Sequence, residues 1–141
     1  GSDNFETRFL VNDAAYFSQK PLVSAAILRF DGQLSTFKPH ANGENEAFGP
    51  CYRCIFRTPP PSGQIPSCSE AGVLGSLCGL LGSFKATEVI KELLGIGDSL
   101  SGSLLILDGL SSEFRKITVH RDPECPLCGT NPSIKALSID E

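Results

Sequence analysis

Two pairs of cysteines, each separated by two residues, constrain this chain more than any other feature. Cys51 and Cys54 form the first pair, and Cys125 and Cys128 form the second. Two intervening residues let both thiols of a pair face one ion, and two such pairs supply the four thiolates of a closed tetrahedral zinc site. Because 70 residues separate the pairs, the ion must join two remote parts of a larger fold.

Two other states of these cysteines remain open from the residues alone. Disulfides would suit a small secreted domain, but no signal peptide is visible, and a bridge within one pair would close too short a loop to stabilise much. A thioredoxin-like redox pair belongs at a strand-to-helix turn of a βαβ pattern, and neither pair lies at one. Structural zinc is therefore the favoured interpretation.

Composition indicates an ordinary globular domain. The chain has 141 residues, of which 40% are hydrophobic and 20% charged, and this suits one domain with a real core. The net charge is -4 and the lysines and arginines are scattered, which argues against nucleic acid and anionic membranes as partners. The longest uncharged stretch, 71–84, is too short to cross a bilayer. We expect a soluble, cytoplasmic protein.

Hydrophobic periodicity in the first third predicts a helix and a hairpin. Apolar residues at three- and four-residue spacing predict a helix over 4–17, capped by Asp3 or Asn4. The apolar run 22–28 is typical of a central strand buried on both faces. Asp31-Gly32 is a hairpin turn signal, and a returning strand with Leu34 and Phe37 facing inward should follow.

The remainder of the chain predicts a loop, a long helix, a second hairpin and a tail. The proline-rich segment 58–66 should be an exposed, mobile loop. A capping box at 67–70 and a terminal glycine, Gly95, predict a helix of about seven turns. Within that helix, Gly75, Gly79 and Gly82 favour close approach of a neighbouring backbone, and Cys78 should be buried. Strands are expected over 103–108 and 113–120, and a fraying tail over 129–141.

The order of these elements, together with several short motifs, closely resembles the MoeB/ThiF family. The resemblance covers nearly the whole chain. Its motifs are Ser2-Asp3-Asn4-Phe5-Glu6-Thr7-Arg8 with Asn12, Pro21-Leu22-Val23-Ser24, Gly32-Gln33, Pro50-Cys51-Tyr52-Arg53-Cys54, Ser69-Glu70-Ala71-Gly72-Val73 and Cys125-Pro126-Leu127-Cys128.

That family adenylates the C-terminal glycine of ubiquitin-like sulfur-carrier proteins, as in molybdopterin or thiamine biosynthesis, and is related to ubiquitin-activating enzymes. The resemblance implies this activity here, with ATP and Mg²⁺, structural Zn²⁺, a carrier protein that ends in Gly-Gly and a homodimeric enzyme. It implies an α/β fold: the C-terminal half of a Rossmann-like ThiF/MoeB adenylation domain, a mixed sheet with packed helices and a four-cysteine zinc knuckle. Family members carry a Gly-rich nucleotide turn upstream, and no G-x-G-x-x-G occurs here. Residues 1–141 therefore look like the C-terminal part, without the nucleotide-binding half.

The resemblance also assigns roles to individual residues. Asp3 matches the acidic residue that faces the nucleotide and its Mg²⁺, an ion that prefers oxygen ligands. Arg8 and Asn12 match a helix that lines the nucleotide and carrier-tail groove. The four paired cysteines match structural zinc ligands. Cys68 lies near a position where some relatives link a cysteine to the carrier, so it is a candidate catalytic thiol.

Roles outside catalysis and binding remain open for some of these residues. Asp3 would otherwise be a helix cap and Arg8 a solvated side chain. Cys68, next to a predicted helix N-terminus that would favour its thiolate, would otherwise be an exposed but idle thiol. Arg53 and Arg57 would be solvated unless they meet an acidic carrier surface.

Two other functional classes also remain open. The chain could be a zinc-stabilised module that binds a ubiquitin-like partner without chemistry, or a thiol redox protein. Metal content with a thiol count distinguishes the redox protein from the others.

Overall fold

A computed structural model describes residues 4–40, 49–57 and 72–137. Its helices and strands are, in chain order, α1 (Phe5–Phe17), β1 (Leu22–Leu28), β2 (Asp31–Phe37), α2 (Tyr52–Ile55), α3 (Gly75–Leu94), β3 (Ser103–Asp108) and β4 (Glu113–Thr118). The strands form one sheet in the order β1-β2-β3-β4, and all their pairings are antiparallel. The predicted α/β class is confirmed.

Alternating side chains of β2 contribute to two separate cores. Leu34 joins Leu81 and Leu107 in the core between the sheet and α3. Phe37 faces the opposite way and packs with Phe9 and Tyr52, so this second core joins the sheet to α1 and α2. Leu34 and Phe37 are both buried, as their sequence pattern predicts.

Helix α1 begins as predicted, but its buried face is partly polar. Asn4 is the N-cap, and its side-chain oxygen accepts a hydrogen bond from the Thr7 N–H at 2.8 Å. Asn12 and Asp13 are buried, whereas Phe17 is exposed. The apolar spacing therefore predicts the helix correctly and its buried face only in part.

The first hairpin differs from the prediction in its position and in its burial. Leu28 pairs with Asp31, so the turn is Arg29-Phe30, with Arg29 at φ +56°, and Gly32 lies within β2. Strand β1 is an edge strand of the described sheet, and all its residues are only half-buried. A central, doubly buried β1 is therefore wrong for the described residues.

Helix α3 begins later than the prediction. It starts at Gly75 and has 20 residues, or about five and a half turns. The preceding chain is extended because Val73 forms a parallel bridge with Arg29, and the Leu74 N–H donates to the Arg29 carbonyl at 3.0 Å. The predicted capping box at 67–70 lies outside the described residues. Gly95 ends the helix at φ +65°, as predicted.

Two further predictions for α3, the burial of Cys78 and a close backbone contact at its glycines, are wrong for the described residues. Cys78 is exposed rather than buried. A Cβ atom added to Gly75, Gly79 or Gly82 would meet nothing within 4 Å in the part of the chain that the structure describes. No described backbone therefore approaches these glycines closely.

The described part of the predicted tail, residues 129–137, is more ordered than a fraying tail. Strands β3 and β4 pair along their whole length, although β4 ends at Thr118 and is exposed throughout. Beyond them, the Gly129 and Ile134 N–H groups donate to the carbonyls of Cys125 and Pro126 at 3.1 and 2.9 Å. Residues 129–134 therefore fold back over the second cysteine pair.

Among the described helices, none combines the length and the apolar character that a membrane span requires.

Candidate metal centre and the adjoining cavity

The four paired cysteines converge at one point, although 70 residues of sequence separate the two pairs. Their sulfur atoms all lie within 4.8 Å of one another. The Sγ–Sγ distances are 3.6 Å from Cys51 to Cys125, 3.9 Å from Cys51 to Cys54 and 3.3 Å from Cys54 to Cys128. Zinc–sulfur bonds of about 2.3 Å place the sulfurs of a tetrahedral site about 3.8 Å apart. The cluster could hold a metal ion, and its dimensions and donor set are consistent with zinc.

Local backbone geometry turns each pair of thiols inward. Helix α2 is a single turn, so Cys54 returns beneath Cys51, and the Cys51 N–H points at Cys54 Sγ at 3.4 Å. The Asp122 N–H reaches the same sulfur at 3.4 Å. On the second pair, a Cβ atom at Gly129 would lie 2.5 Å from the Cys125 carbonyl oxygen, so the close return requires glycine.

The four thiols share protons, and a positive charge lies beside them. Hydrogen bonds from Cys128 and then Cys51 lower the pKa of Cys125, whereas the hydrogen bond with Cys125 is the main cause that raises the pKa of Cys51. The Arg53 guanidinium adds a positive charge, and its own pKa is raised by the hydrogen bond to Asp13, against burial, and further by the attraction of Asp13 and of Cys51. The thiolate form is the one that binds metal ions.

Arg53 is not solvated, which corrects the prediction for it. Its Nε and Nη2 atoms donate to the two carboxylate oxygens of Asp13 at 2.7 and 2.8 Å. The guanidinium also lies over the Phe9 ring, 4.5 Å from its centroid. This two-bond geometry is the strongest form of an arginine–carboxylate pair, and here it joins α2 to α1. Arg57 likewise pairs with Asp122.

Asn12 makes the neighbouring link between the same two helices. Its Oδ1 accepts a hydrogen bond from the Tyr52 N–H at 3.0 Å, and its side chain is almost completely buried. Tyr52 is the first residue of α2, where a backbone N–H lacks a partner within the helix. Asn12 therefore supports the cysteine turn directly.

A cavity of about 240 Å³ lies beside the cysteine cluster, on the sheet face opposite α3. Phe5 and Arg8 line it from α1, and Tyr52 and Phe56 line it from the cysteine turn. The floor comes from β1 and β2 and includes small or polar side chains: Ser24, Ala26, Gln33 and Ser35. Such a floor leaves room for an extended polypeptide.

The structure brings together some of the predicted site residues. Cys51, Cys54, Cys125 and Cys128 form one cluster, and Arg8 lines the cavity. Asp3, Cys68 and the loop 58–66 lie outside the described residues. Sequence reasoning missed Asp13, Tyr52 and Phe56. The adjacent polar pair Asn12-Asp13, in an otherwise apolar helix face, was the available signal for Asp13.

The sequence was compared with protein families and with curated proteins. The ThiF family profile matches residues 1–127. Over 137 residues the chain is 55% identical to a sulfur carrier protein adenylyltransferase of Thermus thermophilus, covering 96% of this chain and 49% of that protein. It is 46% identical to the adenylyltransferase and sulfurtransferase MOCS3 of Mus musculus, covering 96% of this chain and 28% of that protein. The chain thus spans about half the length, or less, of these relatives.

Solved structures show the same fold at low sequence identity. A crystal structure of E. coli MccB matches with a TM-score of 0.65 and 13% identity, covering 92% of this chain and 37% of that one. The crystal structure of E. coli MccB with ATP matches with a TM-score of 0.63 and 13% identity, covering 84% of this chain and 35% of that one.

Proposed function

This chain belongs to the ThiF family, and on that basis we propose that it is part of an enzyme that adenylates the C-terminal glycine of a ubiquitin-like sulfur-carrier protein. The observation that carries the proposal is the pairing of two features. One is the 55% identity to a sulfur carrier protein adenylyltransferase, and the other is the cavity beside the four-cysteine cluster. The carrier would end in Gly-Gly.

The proposed reaction is attack by the carrier's terminal carboxylate on the α-phosphate of ATP. A bond forms between the carboxylate oxygen and the α-phosphorus, and the bond from that phosphorus to the bridging oxygen of pyrophosphate breaks. The products are an acyl-adenylate and pyrophosphate. Negative charge develops on the phosphate oxygens, so the reaction needs positioned cations. Bound Mg²⁺ would supply part of that charge.

Among the residues here, Asp3 would offer a carboxylate to that Mg²⁺. Arg8 would contribute a fixed positive charge at the cavity wall, where it lies beside Phe5. Asn12 would act on the site indirectly, because its side chain is buried against the Tyr52 N–H. Cys68 is proposed as a candidate thiol for linkage to the carrier.

The cavity would hold the carrier's flexible tail. A tail that ends in two glycines has no bulky side chains at its end, so it can lie flat on a floor built from Ser24, Ala26 and Ser35. The segment 58–66 is proposed as a cover over that tail.

The four cysteines would bind one structural Zn²⁺ that takes no part in the chemistry. All four ligands come from the protein, which is typical of a closed structural site rather than a catalytic one with an open position. The zinc would join the region after β2 to the region after β4. In zinc-finger peptides such binding contributes on the order of 10 kcal/mol to folding.

The finer assignments are also proposals. We infer a pathway of the molybdopterin or thiamine type, a homodimeric enzyme and a cytoplasmic location, where reducing conditions keep the cysteines available to zinc. The residues 1–141 would form the carrier-facing, metal-binding part of the adenylation domain. The Gly-rich turn and the phosphate-binding groups would come from elsewhere in the full enzyme.

ATP–pyrophosphate exchange tests this proposal. A full-length protein that contains these 141 residues should exchange pyrophosphate in the presence of a Gly-Gly-ended carrier, and the Asp3→Ala form should lose that exchange. The 141 residues alone should be inactive, because their sequence contains no Gly-rich turn of the kind that binds the phosphates of ATP. Carrier binding without exchange by the full-length protein would favour the non-catalytic binding module instead. Robust exchange by the 141 residues alone would contradict the proposal that the phosphate-binding groups come from elsewhere in the full enzyme.

A further inference from the structure

Helix α1 is attached to the cysteine turn by polar contacts. Phe9 packs on Phe37 of the sheet and on Tyr52, but the polar contacts described for α1 lead to α2, the single turn between Cys51 and Cys54. They are the Asn12 bond to the Tyr52 N–H and the two bonds between Asp13 and Arg53, whose guanidinium also stacks on Phe9.

The same two elements form the side walls of the cavity. Phe5 and Arg8 belong to the first turns of α1, and Tyr52 and Phe56 belong to the cysteine turn and its end. The ring of Tyr52 meets those of Phe9 and Phe56, with centroids 5.4 and 4.8 Å away. The residues of the cysteine turn therefore both surround the metal cluster and form one wall of the cavity.

We propose that Asp13 and Arg53 are positioning residues that couple metal binding at the cysteine cluster to the position of α1, and hence to the cavity. Metal binding orders the turn that carries Arg53. Arg53 then holds Asp13, and this fixes the rotation of α1 and the place of Arg8. Neither Asp13 nor Arg53 lines the cavity or supplies a thiolate, so their effect on it is indirect.

The burial and geometry of the pair suit this role. The side chains of Arg53 and Asp13 are only 16% and 10% exposed. A buried pair of this kind contributes little net stability compared with apolar residues, but the loss of one partner is costly. Its two parallel hydrogen bonds fix an orientation, which a lysine cannot reproduce. The pair therefore serves to define one arrangement of the two helices.

Coupling of this kind is reciprocal. If metal binding favours the arrangement that binds a ligand in the cavity, then a ligand in the cavity must strengthen metal binding by the same free energy. This last step rests on the function proposed above, since it takes the end of a carrier protein as the ligand. The step from the metal to α1 does not depend on it.

Hydrogen exchange of α1 in the metal-loaded protein tests the first step. The Arg53→Lys and Asp13→Asn variants should both retain the metal, and the backbone amides of α1 should exchange about tenfold faster than in the wild type. Arg57→Lys is the matched control, because Arg57 also pairs with a carboxylate beside the cluster but contacts Asp122 rather than α1. Exchange in α1 that is the same in Arg53→Lys, Arg57→Lys and the wild type would overturn the proposal.

Zinc affinity tests the second step. With a synthetic peptide ending in Gly-Gly bound at saturation, the zinc affinity measured by equilibrium competition with a coloured chelator should rise about tenfold in the wild type and in Arg57→Lys. In Arg53→Lys the peptide should bind more weakly and should no longer raise the zinc affinity. A peptide that binds the wild type and Arg53→Lys equally well, and raises the zinc affinity equally in both, would overturn the coupling. A peptide that does not bind the wild type would instead count against the proposed function, and the exchange experiment would then decide the coupling.

Discussion

Gly32 faces Leu81 so closely that a Cβ atom placed on the glycine would lie 2.1 Å from Leu81 Cδ1. Leu81 is itself buried, at 1% exposure, in the core between the sheet and α3. It therefore has little room to move. The absence of a side chain at Gly32 is what allows α3 to lie against β2 at this point.

Gly32→Ala should consequently destabilise the protein by overpacking, by about 1–3 kcal/mol. Gly79→Ala is the matched control, because Gly79 lies exposed in the second turn of α3 and a Cβ atom there meets nothing within 4 Å. That substitution should stabilise the helix by about 0.5–1 kcal/mol. Urea unfolding of the metal-loaded variants measures both changes. Equal stability of the two variants would contradict the packing described for Gly32.

The protein should contain one tightly bound Zn²⁺ per chain. Cys51→Ser should lower both the zinc content and the midpoint of thermal unfolding, since a hydroxyl is a poor zinc ligand. Cys78→Ser is the control and should leave both unchanged, because Cys78 is exposed and is not one of the four clustered cysteines. Elemental analysis and a thermal scan provide the two measurements. Zinc-free wild-type protein, or protein with these sulfurs in disulfides, would contradict the assignment.

The six thiols should fall into two classes of reactivity. Cys78 is exposed and should be alkylated quickly in the native, metal-loaded protein, and we expect Cys68, the thiol proposed for linkage to the carrier, to react at least as fast. The four clustered thiols should react only after a chelator removes the metal. Alkylation followed by mass spectrometry of peptides identifies each site. Rapid labelling of Cys125 before chelation would contradict a closed metal site.

Acid should weaken the attachment of the end of α3. Burial acts to raise the pKa of Glu92, but hydrogen bonds from Ser99 and Lys38 outweigh it and lower that pKa. Lys38 Nζ lies 2.9 Å from Glu92 Oε2. A carboxylate with a lowered pKa stabilises the fold above its unfolded pKa of about 4.3, and this stabilisation is lost as the pH falls through the folded pKa.

The free energy of unfolding should therefore fall more steeply below about pH 4.3 in the wild type than in Glu92→Gln. Glu113→Gln, on the exposed strand β4, serves as the control and should follow the wild-type profile. Chemical unfolding at a series of pH values gives both profiles. Parallel profiles for the wild type and Glu92→Gln would show that Glu92 does not contribute in this way.

Features that depend on neighbours in sequence are the ones that sequence analysis predicted well. The spacing within each cysteine pair turns two thiols toward one ion, and the two pairs come together because a closed zinc site needs four thiolates. Asn4 caps α1 and Gly95 ends α3, because each acts on backbone groups within a few residues. The bounds of β3 were also predicted to the residue.

Features that depend on remote partners were predicted badly. Arg53 has no local signal for burial, because its partner Asp13 is 40 residues away. Asp31-Gly32 carries a strong turn signal, yet the turn forms two residues earlier and Gly32 serves the contact with Leu81. The start of α3 is displaced because Val73 pairs with Arg29, an interaction that no capping pattern reveals.

The position of the two cysteine pairs has a consequence for the order in which the protein assembles during synthesis. Helix α1 is made before its partner, the turn at Cys51–Cys54. The cluster that stabilises this turn is incomplete until Cys125 and Cys128 have also been made, 70 residues of sequence later. Helix α1 thus waits for residues that are made much later, and until then the nascent chain needs protection from wrong metals and oxidants.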